Sequence, residues 1–283
     1  MTKEIKLIEK QNVIPYLSFP ALEETGIVRH LFTTRKGGVS TGYQSSLNLN
    51  YNQGNEPEAV DENYRRVADA LGGDVSQIVC SQQTHTTNVQ RVGLQDAGRG
   101  VVKPLDVTDI DGMVTNEPGI VLATFYADCV PLFFVDPVKK CIGLSHSGWK
   151  GTVGRMGEKT IQKMTEEYGT DPSDVIAAIG PSICQECYEV SEDVAKQFLD
   201  EFGNSSYCNN PEMIAYRNRS KEPEVKYQLN LWEANRIVLL EAGVQADNIH
   251  SSNLCTCCNS ELLFSHRASN GKRGNLGAFL GLL

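Results

Sequence analysis

The sequence has no apolar run long enough to cross a bilayer. Its longest, residues 120–135, is interrupted by Asp128 and Pro131. It has no basic cluster either. Lys and Arg total 26 against 35 Asp and Glu, a formal net charge of -9, and the cations are scattered. An acidic chain repels phosphate backbones and anionic lipid, so neither a nucleic-acid nor a membrane partner is expected. The Gly-x4-Gly-Lys-Ser/Thr spacing of a phosphate-binding P-loop is absent. There are only five His and no His-x-His pair. The start, Met1-Thr2-Lys3-Glu4, lacks the apolar core of a signal peptide. The nine Cys, odd in number and irregularly spaced, therefore read as reduced thiols of a cytoplasmic protein and not as a disulfide framework. Repeats, low-complexity tracts and linkers are also missing, so residues 1–283 are expected to form one domain.

What is present is an ordinary globular mixture, 40% hydrophobic and 22% charged, which supports a sizeable core and argues against disorder. Residues 57–71 predict a helix. Pro57 opens it, Val60, Tyr64, Val67 and Leu71 recur at helical spacing, and Gly72 stops it. Residues 156–168, stopped by Gly169, predict another. Two more are expected at 192–202, behind Ser191 as N-cap, and at 231–242, behind Asn230. Strands are expected at 77–82, 120–126, 132–135, 141–145 and 175–179. Residues 33–50 and 147–152 read as loops, and the end of the chain as a Gly-rich tail. Strands outnumber helices in mixed order, so the fold class is α+β or layered α/β.

Three potentially reactive residues sit at predicted strand ends. His85 follows one strand, Cys129 lies where the apolar run breaks, and His146 ends the strand after it. Loops at strand ends are where a rigid sheet presents reactive groups. Two imidazoles and a thiolate suit Zn²⁺ with a fourth position open. Such a metal would lower the pKa of a bound water or polarise a substrate oxygen. The same residues also fit hydrogen-bonded His and a buried Cys, or a metal-free site with Cys129 as nucleophile and His146 or His85 as base. Arg35, beside Gly37 and Gly38, could hold a phosphate, as could Lys150 just past His146 and Arg267 near the end. Each is also compatible with a surface or structural role. Cys184 and Cys187, with Cys255, Cys257 and Cys258, contain enough thiols for a structural zinc. Sequence alone reads them as a chance grouping in a Cys-rich chain.

Taken together, several segments resemble the laccase-like purine nucleoside phosphorylase family, also called the YfiH/YlmD or polyphenol oxidase family. They are TTRKGGVS at 33–40, SLNL at 46–49, QQTHTTNV at 82–89, ADCVPL at 127–132 and HSGWKGT at 146–152. IGPSIC at 179–184 with Tyr188-Glu189-Val190, CT at 255–256 and FSHR at 264–267 complete the set. The resemblance implies that His85, Cys129 and His146 ligate zinc. It also implies a three-layer α/β/α fold with mixed sheets, similar to certain cysteine hydrolases. The implied substrates are phosphate and the purine nucleosides adenosine, inosine and S-methyl-5'-thioadenosine, with adenosine deamination alongside. Copper-dependent phenol oxidation and the editing of peptidoglycan precursors occur within the same family. The tail departs from the pattern. Ala268 stands where the family has a second Arg, and Lys272-Arg273-Gly274-Asn275 replaces a Thr-Gly-Arg, leaving Arg273 as the available guanidinium.

Phosphorolysis requires an anion site beside the ribose C1′ and stabilisation of the departing base, for which Arg35, Lys150 and Arg267 are the candidates. Deamination requires an activated water at purine C6, and a His/Cys zinc site is a sensible source. Multicopper oxidation requires many more imidazoles than five. A single copper could still occupy the trio, because copper binds more tightly than zinc at such a site. The expectation is therefore a zinc-dependent purine nucleoside phosphorylase with deaminase activity. The alternatives are a copper-dependent phenol oxidase and an amidase using Cys129. The sequence leaves the oligomeric state open.

Overall fold

The computed structural model describes residues 4–51, 56–218, 220 and 223–283. The long apolar run divides into two strands, β7 (Val121–Tyr126) and β8 (Val130–Asp136), which belong to different sheets. The intervening Asp128 has φ 88, a left-handed conformation that turns the chain from one sheet into the other.

In the first sheet, β7 lies between β4 (Ile78–Val79) and β15 (Leu276–Leu282). Beyond β15 come β3 (Val28–Thr33), β2 (Tyr16–Ser18) and β1 (Lys6–Ile8). In the second sheet, β8 lies between β9 (Cys141–Ser147) and β10 (Ile176–Ile179). β6 (Gly112–Thr115) and β5 (Val89–Arg91) extend it on one side, and β14 (Ile249–Ser251) on the other. The β4–β7, β5–β6 and β10–β14 pairs are parallel, so both sheets are mixed.

The two sheets face one another across a core that includes Leu122, Tyr126, Leu276, Ala278 and Leu280 from the first and Met113, Phe133, Ile142 and Leu144 from the second. On the outer face of the first sheet, α2 (Pro57–Leu71) covers Leu31, Ala123 and Phe279 with Val60, Tyr64, Val67 and Leu71. On the outer face of the second, α4 (Met156–Tyr168), α5 (Glu192–Phe202) and α6 (Leu231–Glu241) bury Ile161, Phe198, Ile237 and Val238. Helices thus flank a β layer that is two sheets thick, and this α+β architecture agrees with the expected class. The central strands are buried on both faces, which is why they read as continuous apolar runs without alternation. Two short helices, α1 (Pro20–Glu23) and α3 (Trp149–Val153), and a three-stranded sheet of β11 (Glu189–Ser191), β13 (Lys226–Leu229) and β12 (Ala215–Arg217) complete the set.

Helix boundaries follow their punctuation. Gly72 and Gly169 close α2 and α4 at φ 68 and 69, a conformation that only Gly adopts at little cost. Asn230 Oδ1 accepts the Glu233 N–H at 3.1 Å and opens α6. Three expectations need correction. The strand expected at 77–82 is only Ile78–Val79; further along, the Gln83 side chain does the pairing, donating to Phe125 O at 2.9 Å and accepting the Phe125 N–H at 2.7 Å. The loop expected at 147–152 contains α3. The Gly-rich tail contains β15, a central strand. Among the described residues, no helix is long and apolar enough to cross a membrane.

Candidate metal centre and its cavity

His85, Cys129 and His146 come from three separate segments, yet their ligand atoms all lie within 4.8 Å of one another. Cys129 directly follows the Asp128 turn. The Asp128 turn is pinned by three donors: Thr256 Oγ1 to Oδ1 at 2.6 Å, Arg267 N–H to Oδ2 at 2.7 Å, and Ile183 N–H to the Asp128 carbonyl at 3.0 Å. His146 lies within β9, opposite Pro131 of β8. His85 has φ 65, an uncommon conformation for a residue with a side chain, sustained only where the surroundings impose it.

Asp111 imposes it. This carboxylate, with no solvent exposure, accepts the backbone N–H groups of Thr84, His85 and Thr86 at 3.1, 3.1 and 2.8 Å, and the Thr86 hydroxyl at 2.9 Å. The same carboxylate meets His146 Nδ1 at 2.8 Å, while the Asp111 carbonyl accepts the His146 N–H at 2.7 Å. One side chain therefore shapes the His85 loop and orients the His146 ring. With Nδ1–H donated to Asp111, Nε2 is the nitrogen left as a ligand, the carboxylate–histidine arrangement common at metal sites. Asp111 was not among the residues expected from sequence. The only signal for it is an Asp-Gly step leading into a buried strand.

Close approach also depends on Gly148. A Cβ there would lie 3.0 Å from His85 Cδ2 and 3.1 Å from Cys129 Sγ. The first Gly of HSGWKGT is thus a matter of room, since its φ of -71 suits any residue.

The electrostatics are coupled. Burial alone would raise the Cys129 thiol, but the charge and hydrogen bond of His146, followed by those of His85, hold it down at about 6. Burial alone would lower the His146 imidazole, but the Cys129 charge and the hydrogen bond to Asp111 raise it to about 9. Burial would raise the Asp111 carboxyl, and His146 with the Thr86 and Thr84 amides brings it to about 2. Each of Cys129 and His146 thus favours the charged form of the other. A cation that takes both residues as ligands displaces the imidazole proton. Softness and geometry of the donor set, N₂S with an accessible side, fit zinc or copper.

That accessible side is a cavity of about 780 Å³. The trio lies in its wall, with His85 exposed, Cys129 partly so and His146 buried. Tyr51, Tyr64, Phe125 and Tyr188 line it, together with Arg267 and Arg273. Arg267 donates to Cys187 O and Glu189 O at 3.0 and 2.9 Å. The Arg273 guanidinium bonds the Asn275 side chain, and its buried Nε has no hydrogen-bond partner among the described residues. Burial also lowers its pKa, which marks a cation incompletely compensated by its surroundings. The other two expected phosphate residues lie elsewhere. Arg35 donates to Ser45 O and Ser260 O, stacks 4.6 Å from the Phe264 ring centroid, and lines a second, smaller depression of about 180 Å³ whose wall also includes Arg273. Lys150 is exposed, its ammonium 5.6 Å from the Trp149 ring centroid.

A family model described as "Multi-copper polyphenol oxidoreductase laccase" matches residues 29–283. The chain belongs to this family. It is 37% identical over 254 residues to "Purine nucleoside phosphorylase YlmD" of Bacillus subtilis (strain 168), covering 89% of this chain and 87% of that one. It is 33% identical over 244 residues to "Adenosine deaminase RL5" from an unknown prokaryotic organism, covering 83% and 87%. The crystal structure of YlmD from Geobacillus stearothermophilus superposes with a TM-score of 0.85 at 33% identity, covering 98% of both chains. The chain has five imidazoles. Of its five, His30 accepts the Phe19 N–H at 2.8 Å and His250 is buried in β14, while His266 lies at the cavity. Only His85 and His146 join a candidate metal centre among the described residues.

Proposed function

We propose that this chain is a zinc-dependent purine nucleoside phosphorylase that also deaminates adenosine. The carrying observation is that the His85–Cys129–His146 centre and the Arg273 guanidinium face one cavity large enough for a nucleoside. His85, Cys129 and His146 would hold the metal, which when bound supplies Lewis acidity. Arg273, with Arg267 in the same cavity wall, would hold phosphate by charge-assisted hydrogen bonds. Tyr51, Phe125 and Tyr188 offer flat apolar surface to a purine. Asp111 fixes the ring and tautomer of His146 and the backbone at His85, so that the site does not reorganise during turnover. Phosphorolysis breaks the C1′–N9 bond and joins phosphate to C1′, giving ribose 1-phosphate and a free base. Deamination replaces the C6 amino group by oxygen from water, giving inosine and ammonia. The names of the two relatives, one a phosphorylase and one a deaminase, support this pairing.

Purified zinc-loaded protein incubated with adenosine and phosphate should yield adenine, ribose 1-phosphate and inosine, resolved by chromatography. An absence of all three beside a working control enzyme would overturn the reading. Metal analysis of protein purified without added metal separates zinc from copper. One further reading has its own support. Cys129, His146 and Asp111 are also arranged as nucleophile, base and orienting carboxylate, the requirement for a thiol hydrolase. That reading requires activity to survive chelation and to be lost on alkylation of Cys129.

A further inference from the structure

We propose that Cys184, Cys187, Cys255 and Cys258 form a second metal site, a structural tetrathiolate centre for a single zinc-class divalent ion. The four Sγ atoms lie within 4.8 Å of one another, although Cys187 and Cys255 are far apart in sequence. Cys258 Sγ is 3.5 Å from Cys187 Sγ and 4.0 Å from Cys184 Sγ. A tetrahedron with Zn–S bonds of about 2.3 Å has edges of about 3.8 Å. The observed separations match that edge. They are too long for a disulfide bond, at about 2.05 Å. They are also too short for sulfurs that surround several irons. Soft thiolates in a tetrahedral S₄ arrangement select zinc over the hard cations.

The topology explains how the four meet. β10 and β14 run parallel, and their extensions stay paired through the Ser182–Cys255 bridge and the Thr256 N–H to Ser182 O bond at 3.1 Å. Each extension then turns through a Cys-x2-Cys segment, 184–187 and 255–258, so two equivalent knuckles face each other. Backbone N–H groups of Cys184 and Cys258 point at Cys255 Sγ, at 3.3 and 3.4 Å. Such N–H donors disperse thiolate charge around a bound ion. Cys257, within the second knuckle, is not one of the four.

The site stands behind the wall of the catalytic cavity. Ile183 and Thr256, each next to a ligand cysteine, hold Asp128, while Arg267 donates to the Cys187 carbonyl. An ion joining the two knuckles would therefore fix the Asp128 turn and, through it, Cys129. Each of the four thiols releases its proton as the ion binds, and no electron is transferred.

The test compares metal content in protein purified under reductant, without chelator. Wild-type protein and the His85→Ala and Cys257→Ser variants should retain the tetrathiolate ion, and a Cys184→Ser/Cys258→Ser variant should lose about one equivalent per chain. Cobalt(II) added to metal-stripped His85→Ala protein should give the intense thiolate-to-cobalt charge-transfer and red d–d bands of a tetrahedral S₄ site. The cobalt readout decides the matter even if the double variant fails to fold. Folded His85→Ala protein that holds no ion and shows no such spectrum would overturn the proposal. So would an intact mass, under reductant, showing Cys187 and Cys258 joined as a disulfide.

Discussion

Replacing Asp111 with Asn tests how the centre is held, because the two side chains have nearly the same shape. The carboxylate serves five donors at 2.8–3.1 Å with no exposure to water. An amide offers one acceptor oxygen and one NH₂ group. If its oxygen faces His85 and His146, the NH₂ group faces the N–H groups of Thr84 and Thr86. The Thr86 hydroxyl can rotate to accept, but the two backbone donors cannot. If the amide is turned over, the NH₂ group faces the His85 N–H and His146 Nδ1, and His146 can accept only by moving its proton to Nε2, the ligand atom. Each buried donor left unpaired costs about 1–3 kcal/mol; the first orientation leaves two and the second leaves the His85 N–H, so the cost lies between about 1 and about 6 kcal/mol. Asp111→Asn should therefore lower the stability of metal-free protein by that amount in urea denaturation. Affinity for zinc, measured by competition with a chromophoric chelator, should fall about 10–100-fold. A stability change below about 1 kcal/mol with unaltered zinc affinity would refute the reasoning.

Gly148→Ala places a methyl group against His85 and Cys129; bound metal should drop while circular dichroism stays near wild type, and undiminished metal would count against the close-approach account. His30, buried and pushed down from 6.5 to about 4 by desolvation that Glu23 only partly offsets, contributes stability in full above pH 6.5. That contribution is lost as pH falls from 6.5 towards 4, with a slope approaching about 1.4 kcal/mol per pH unit, and His30→Gln should flatten the profile there. The same slope in both proteins would exclude His30 as its source. Arg273→Ala should raise the phosphate KM about tenfold or more with a smaller change in kcat, whereas Arg35→Ala should lower the melting temperature and leave that KM alone. The reverse pattern would move the anion site to the smaller depression.

Much of the scaffold was legible where local chemistry decides it. Pro57 and Gly72 bracket α2, Asn230 opens α6, and apolar runs mark β7 and β8, because these signals act within a turn or a strand of the residue that carries them. β15 was not legible. Its outer face carries Gly277 and Gly281, where a Cβ would meet Leu49 and the Ile120 carbonyl, so it looks like a flexible tail. Its strand character comes entirely from neighbours far away in sequence. α3 is too short to show periodicity. At the site, the trio stood out because His and Cys are chemically distinctive and these three fall at predicted strand ends. Asp111 was hidden because its role lies in donors supplied by a loop that acquires its shape only after folding. Arg273 could be noticed but not placed, since whether a guanidinium reaches a cavity depends on the path of the backbone before β15.

The position of β15 also bears on how the protein is made. It pairs with β3 on one side and β7 on the other, with Phe279 opposite both Leu31 and Ala123, and these two strands have no direct pairing. During synthesis both leave the ribosome long before residues 276–282 do. Each then presents an apolar strand with an unpaired edge, the feature that invites association between nascent chains. The second sheet has no such delay, since all of its strands have been synthesised once Ser251 emerges. The candidate metal centre draws on both halves, with Cys129 at the crossing between the sheets. It therefore completes itself only when the late strand has closed the early one, and a nascent chain carries the ligands well before it carries the site.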